Sequence, residues 1–328
     1  MRSIFFVLIG MLVTTILIPM VLIQSCDLST PKLEEQEVVE SQRMVHVFSQ
    51  QTKTVVEIEL EEYVKGVIAG EMPASFEIEA LKAQAVAARS YAISRVNQFR
   101  ESGNPNHPQA ELCDSIHCQV WYSKDKLREI KSKYWMKDYW PRIEQAVEET
   151  RGMIMTYDGK PVNQPLFHST SGGRTENSED VFVSAVPYLR SVDSPFEDKA
   201  PYLTDRQTVS AAAFVSKIKG KYKDCDIKES TISTAIKILE KSEGGRILKI
   251  QVGNKVLTGR EIRDLLGLRS ANFTLAFKGR DIEFRTVGYG HGVGMSQWGA
   301  NGMAEQGHTY EEILKHYYQG VEIEKLRN

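Results

Sequence analysis

Residues 67–93 read VIAGEMPASFEIEALKAQAVAARSYAI, and the reading of the chain turns on how this stretch breaks. Before the break, Tyr63, Val64, Val67 and Ile68 recur on one helical face across 61–69. Glu71 continues that face, since Val64, Val67, Ile68 and Glu71 stand at i, i+3, i+4 and i+7. Gly70 and Pro73 then end the helix around it. After the break, Ile78, Leu81, Ala85, Ala88, Ala92 and Val96 form the stripe of a long helix predicted over 76–100. Ser75 is its expected N-cap, and Glu77 and Glu79 suit the dipole of its first turn. The alanines let another element approach that helix closely.

Working outward, 45–48 and 54–60 read as strands around a polar turn. Three hairpins follow: 152–157 with 161–168 about Asp158-Gly159, 246–252 with 255–258 about Gly253-Asn254, and 273–277 with 281–286 about residues 278–280. Helices are expected over 208–219, 230–241, 259–266 and 310–318. Hairpins mixed with helices, without repeated βαβ units, predict an α+β fold. No Pro/Gly/Ser-rich break divides 45–328, so this is one large domain or two closely packed lobes around a cleft.

The 328 residues carry 41 Lys+Arg against 43 Asp+Glu, a net charge of −2, with 26% charged and 41% hydrophobic residues. Such a balance excludes a largely disordered chain, and the absence of a basic excess argues against nucleic-acid binding. Four cysteines are too few for a disulfide-built scaffold. The N-terminus departs from the average. Residues 4–23 carry no charge and are long enough to span a bilayer. They are expected to form a single transmembrane anchor over 4–25, with Arg2 holding the N-terminus in the cytoplasm. Cleavage or lipidation at Cys26 is the alternative, with Gln24 a poor fit to it. Residues 26–44, polar and acidic, read as a tether that holds the 45–328 domain off an outer membrane face.

Four stretches can carry chemistry. Glu71, set against apolar groups, would have a raised pKa and could serve as a general acid, or it could merely cap or pair with Arg89. In NPNHPQAELCDSIHC (104–118), His107, Cys113, His117 and Cys118 make a tetrahedral zinc set or frame a Cys113–Cys118 disulfide. Four protein ligands would make such a zinc structural. PLFHSTSGGRTE (165–176) places His168, Ser169 and Ser171 at a strand end, as a sugar-binding edge or a polar loop. VGYGHGVGMSQWGA (287–300) interleaves glycines with Tyr289, His291, Gln297 and Trp298, and lacks the phosphate-loop ending. Its aromatic rings and amide could meet sugar faces and hydroxyls, or pack a buried turn.

VIAGEMPASFEIEALKAQAVAARSYAI, FHSTSGG and GYGHGVGMSQWGA, in that order, resemble the stage II sporulation protein D family over 45–328. That resemblance implies a lytic transglycosylase acting on peptidoglycan glycan strands without stem peptides, in septal wall degradation and forespore engulfment. It implies Glu71 as catalytic acid/base and Arg89 near the active site. It also implies His107, Cys113, His117 and Cys118 as ligands of one structural zinc, and a cell-wall amidase and a membrane scaffold as partners. Substrate contacts are expected from Arg89, His168, Ser169, Ser171, Tyr289, His291 and Gln297. Ser90 and Trp298 stand where the family commonly has Thr and Tyr. Two rival readings are a muramidase, with Glu176 or Asp180 as second carboxylate, and a non-catalytic glycan-binding activator of an amidase.

Overall fold

Small side chains decide what lies at the centre. In a computed structural model that describes residues 43–326, the Ala-rich helix is buried on all sides: every residue from Ala83 to Ser94 is enclosed. An amphipathic surface helix would bury only one stripe. The expected anchor over 4–25 and nearly all of the tether over 26–44 lie outside the described residues. Among the described residues, no helix is long and apolar enough to cross a membrane.

The chain begins with β1 (Met44–Phe48) and β2 (Val55–Glu59), an antiparallel pair, followed by α1 (Leu60–Glu71) and the central α2 (Ile78–Phe99). The short β3 (Leu112–Cys113) joins β1 in parallel. Helices α3 (Lys124–Ile130), α4 (Trp135–Asp138) and α5 (Trp140–Glu149) lead to β4 (Met153–Tyr157) and β5 (Lys160–Pro161). Then come β6 (Phe167–His168) and α6 (Ser178–Val181). A second group comprises β7 (Thr204–Ser210), α7 (Ala211–Lys221), α8 (Ile232–Ala235), β8 (Ile236–Lys241), β9 (Ile247–Val252), β10 (Lys255–Leu257), α9 (Gly259–Leu266), β11 (Phe273–Lys278) and β12 (Asp281–Val287). The chain returns through β13 (Met295–Ser296), α10 (Gln297–Glu305), α11 (Tyr310–Tyr317) and β14 (Glu322–Lys325).

This is a mixed α+β fold with two hydrophobic cores. The first gathers α1, α2, α5, β4, α10 and α11 around Tyr63, Leu81, Ile93, Ile143 and Tyr317. The second is built within residues 211–284, from Phe214, Ile218, Ile250, Ile262, Phe273 and Phe284. Both belong to one continuous unit.

The three hairpins form about the expected turns, although β5 is only two residues long. Asp158 and Gly159 both take positive φ, 50° and 71°, as a two-residue hairpin turn of this type requires. Two expected helices differ. Residues 204–210 are a strand paired with β12, and only at Ser210, whose hydroxyl accepts from Ala213 N–H, does the helix start. Likewise 236–241 is strand β8, paired with β9; Ile236 and Ile238 stand two apart, the period of a strand rather than of a helix. Nor is Ser75 the cap of α2. The helix starts after Glu77, whose N–H donates to Asn301 Oδ1 at 2.8 Å, so a tertiary contact takes the place of a local cap.

Candidate active site

Glu71 is the last residue of α1, where the periodicity placed it. Its side chain is half-buried. Oε1 accepts the Val120 N–H at 2.7 Å, and among the described residues no cation pairs with the carboxylate. Burial pushes its pKa above the usual carboxylate range, against the opposing pull of the Val120 bond. The approach of Val120 depends on a glycine one residue earlier. A Cβ on Gly70 would lie 2.7 Å from the Val120 carbonyl oxygen, and one on Gly66 would strike the Trp121 ring. Two glycines one turn apart therefore let 120–122 lie directly on α1.

That segment leaves a cluster formed by His107, Cys113, His117 and Cys118, whose donor atoms all lie within 4.8 Å of one another. Cys113 and Cys118 are free thiols, not a disulfide. His107 Nδ1 is held by the Ala110 carbonyl at 2.9 Å, which leaves Nε2 facing Cys118 Sγ at 3.5 Å. His117 Nδ1 stands 3.7 and 3.5 Å from the two sulfurs, and its Nε2 meets the Asn106 amide. Each imidazole thus offers one nitrogen inward and fixes the other outside, the arrangement that orients metal ligands. The hydrogen bond from Cys118 pulls the Cys113 thiol down, and the same bond together with burial pushes the Cys118 thiol up. The cluster can hold a metal ion. The adjacent His117 and Cys118 both reach it because the backbone there is an irregular turn, fixed by the Cys118 N–H to Ser115 carbonyl bond.

The other two motifs meet in a parallel pair, β6 with β13, in which His168 stands opposite Ser296. Ser296 caps α10, and the next residue, Gln297, reaches α1: its Nε2 donates to the Glu71 carbonyl at 3.0 Å and to Gln84 Oε1 at 3.3 Å. The Ser169 carbonyl accepts from Trp298 N–H at 3.0 Å. Trp298, partly exposed, meets the Phe76 ring edge-on at 4.7 Å. Glu71, Val120, Ser169, Gln297 and Trp298 are therefore brought into one neighbourhood from four distant stretches.

The remaining expected contacts lie elsewhere. Arg89 is wholly buried, and its partner is Glu61 rather than Glu71: Nε donates at 2.9 Å and Nη2 at 2.6 Å, while Nη1 donates to the Met153 carbonyl. Glu61 stands ten residues before Glu71, roughly 15 Å away along α1. Arg89 thus ties α1, α2 and β4 together and presents nothing to a ligand. Replacing it with Ala strands Glu61 in the core. The expected cost is about 3–5 kcal/mol in chemical denaturation, with the activity of the remaining folded fraction preserved.

Ser171 is also enclosed. Its N–H and hydroxyl both donate to Glu197 Oε1, and the same carboxylate takes Gly172 and Gly173 N–H and the Ser194 and Ser296 hydroxyls. Burial alone would raise the Glu197 pKa, yet these donors hold it below the usual range. His168 is buried, its Nδ1–H donating to the Val293 carbonyl at 3.2 Å, and burial drives its pKa far down. Tyr289 sits against Tyr202 and Arg269, beside an open groove of about 490 Å³ lined by Asp205, Gln207 and Arg263. His291 borders a small, partly open cavity with Arg246 and Asp180. Of the proposed second carboxylates, Glu176 is buried against Arg246 at 3.1 Å, and Asp180 accepts from Asn177 in that same cavity wall. Sequence reasoning missed Glu61, Val120, Glu197 and Arg246. Apart from Ser194 beside Glu197, their partners lie more than twenty residues away, and no local spacing marks them.

A family model described as stage II sporulation protein matches residues 48–157, a range that holds Glu71 and all four cluster residues. The chain is 38% identical to stage II sporulation protein D of Bacillus amyloliquefaciens, over 98% of this chain and 96% of the relative. It is 40% identical to stage II sporulation protein D of Bacillus subtilis, over 85% and 78% of the two chains. The amidase enhancer of Bacillus subtilis is 29% identical over 79% of this chain and 40% of that protein. With these matches spanning most of its length, the chain belongs to the stage II sporulation protein D family.

Proposed function

We propose that this protein is a membrane-anchored lytic transglycosylase that cleaves peptide-free peptidoglycan strands during sporulation, with Glu71 as its acid and base. The observation that carries this reading is the environment of Glu71: one half-buried carboxyl with a raised pKa and a single backbone donor. Protonated Glu71 donates to the glycosidic oxygen between N-acetylmuramic acid and N-acetylglucosamine, and the transition state is oxocarbenium-like. The resulting carboxylate takes the proton of the muramoyl C6 hydroxyl. That oxygen bonds to C1 and closes a 1,6-anhydro ring, so no water enters and no second carboxylate is required. Gln297 holds the Glu71 backbone, and Ser169 and Trp298 offer a hydroxyl and a partly exposed ring for sugars.

His107, Cys113, His117 and Cys118 would hold a zinc ion, which suits a set of two thiols and two imidazoles and fills all four positions. When bound, it fixes the loop that delivers Val120 to Glu71. Anchoring by residues 4–25, with the domain outside the cytoplasm and facing the septum, completes the proposal. A cell-wall amidase and a membrane scaffold are its proposed partners.

The test is the pH dependence of strand cleavage. A general acid must be protonated, so kcat/KM falls as pH rises through the raised pKa of Glu71. The alkaline limb is expected above the usual carboxylate range and is absent from any residual rate of Glu71→Gln. A limb at or below pH 4.5 would remove Glu71 from the role of acid. The likeness to an amidase enhancer favours one second reading, a glycan-binding activator. In that case Glu71→Gln still supports sporulation in cells.

A further inference from the structure

Where the second core meets the first, residues of both enclose a cavity of about 70 Å³. Arg246, Thr258, Arg260 and Arg263 contribute from one side; Asp180, Gly290 and His291 contribute from the other. Three guanidinium groups thus border a space that has one carboxylate in its wall.

Arg246 is the deepest. It is 2% exposed, yet its Nε has no hydrogen-bond partner, although Nη1 donates to Glu176 and Nη2 approaches the Ser171 carbonyl. Its seat exists because residue 292 is glycine, φ 84°: a Cβ there would overlap the guanidinium. Arg260 and Arg263 reach the cavity from α9. Their Asp264 contacts, 3.8 and 3.7 Å, lie on an exposed side chain and are screened by solvent. The positive field is felt locally. Burial and Arg246, then Arg263 and Arg260, push the His291 pKa down to about 4, so its ring is neutral.

We propose that this cavity is an anion site that takes a small carboxylate. Its volume suits a carboxylate with the carbon that bears it, a few times the space one water needs, and it excludes a sugar ring. Guanidinium groups are the side chains best matched to a carboxylate. Resting on the glycan substrate proposed above, one source of this chemistry is the substrate itself. Removing the stem peptide from a muramic acid frees its lactyl carboxylate, a charge absent from peptide-bearing strands. Gln297, whose side chain bonds the Glu71 carbonyl, lies six positions after His291. The cavity therefore lies within about 20 Å of Gln297 by chain length alone, inside the span of a short oligosaccharide. The site would select strands whose peptides have been removed. The other source is a free carboxylate anion.

Calorimetric titration of the purified full chain tests this, with N-acetylmuramic acid, sodium lactate and N-acetylglucosamine as probes. N-acetylmuramic acid and lactate are expected to bind, and N-acetylglucosamine, which lacks the carboxylate, is not expected to bind at this site. Arg263→Gln and Arg260→Gln, at positions of α9 outside its buried face, should each weaken the two carboxylates by about tenfold or more, the loss expected for a charge-assisted hydrogen bond. Binding of lactate alone with the same sensitivity would support the anion site and assign it to a free anion. Carboxylate binding that is absent, or unchanged in both variants, would overturn the proposal. Binding is read without cleavage, so a failure of the transglycosylase reading would show separately.

Discussion

Glu71→Gln is expected to abolish strand cleavage while leaving the protein folded. A positioned general acid–base contributes about 10²–10⁴-fold, and here one carboxyl serves both half-steps, so the upper end of that range is the expected fall in kcat. The substitution is nearly isosteric, and the amide oxygen still accepts the Val120 N–H that Oε1 accepts now. Stability should not fall. A carboxyl whose pKa is raised on folding stabilises the fold most at low pH, below its unfolded value, and that contribution is lost as pH rises through the folded value. Above it, an ionised and half-desolvated Glu71 weighs against the folded state. The neutral amide removes that burden, so thermal unfolding at pH 8 should place the variant level with the wild type or above it. A variant that melts well below the wild type would show that Glu71 holds the end of α1 together.

The second large effect is expected from the His107–Cys118 cluster. Stripping the proposed zinc, or changing Cys113 to Ser, removes the tie that closes the loop carrying residues 104–118. The segment 119–122 then loses its anchor on α1, and Val120 its fixed approach to Glu71. A loss of at least about 3 kcal/mol corresponds to a fall in melting temperature of roughly 6–12 °C for a domain of this size. Amide exchange at Val120 should rise by orders of magnitude, and cleavage should fall with it. Asn106, which meets the outer nitrogen of His117, acts only through that ligand. Asn106→Ala should weaken metal affinity by about 10–100-fold, as read by competition with a chelator. Unchanged Val120 exchange in the stripped protein would separate the cluster from the active site.

The elements that sequence made legible are those whose instructions are local. Gly253-Asn254 and Asp158-Gly159 demand tight turns, and both hairpins form there. The Thr258 capping box starts α9 at the expected residue. Glu71 was legible because helical spacing extends past the last apolar residue to it. The same spacing could not choose between Glu71 and Glu61 as the partner of Arg89, since both lie on α1 and the choice depends on where β4 crosses α2. Thr204–Ser210 alternates exposed and half-buried residues and becomes a strand because β12 offers it a ladder. Expected helix 208–219 begins too early for that reason. The two-residue strands β6 and β13 carry no propensity signal, yet they join FHSTSGG to GYGHGVGMSQWGA. Within that second motif, Gly288, Gly290, Gly292 and Gly294 all take positive φ, and added Cβ atoms there would meet Ser171, His168, Arg246 and Leu166. The alternating glycines record a close approach of two stretches, which sequence alone shows only as flexibility. Ser171 and His168, read as sugar contacts, turn inward to Glu197 and Val293 because the same approach buries them.

The central claim is that a single carboxyl, Glu71, cuts the glycan without water. Mass spectrometry of peptide-free strands incubated with the purified protein, wild type beside Glu71→Gln, tests it most directly. The account predicts fragments ending in 1,6-anhydro-N-acetylmuramic acid from the wild type and none from the variant. Reducing-ended fragments, or anhydro ends produced equally by Glu71→Gln, would contradict it.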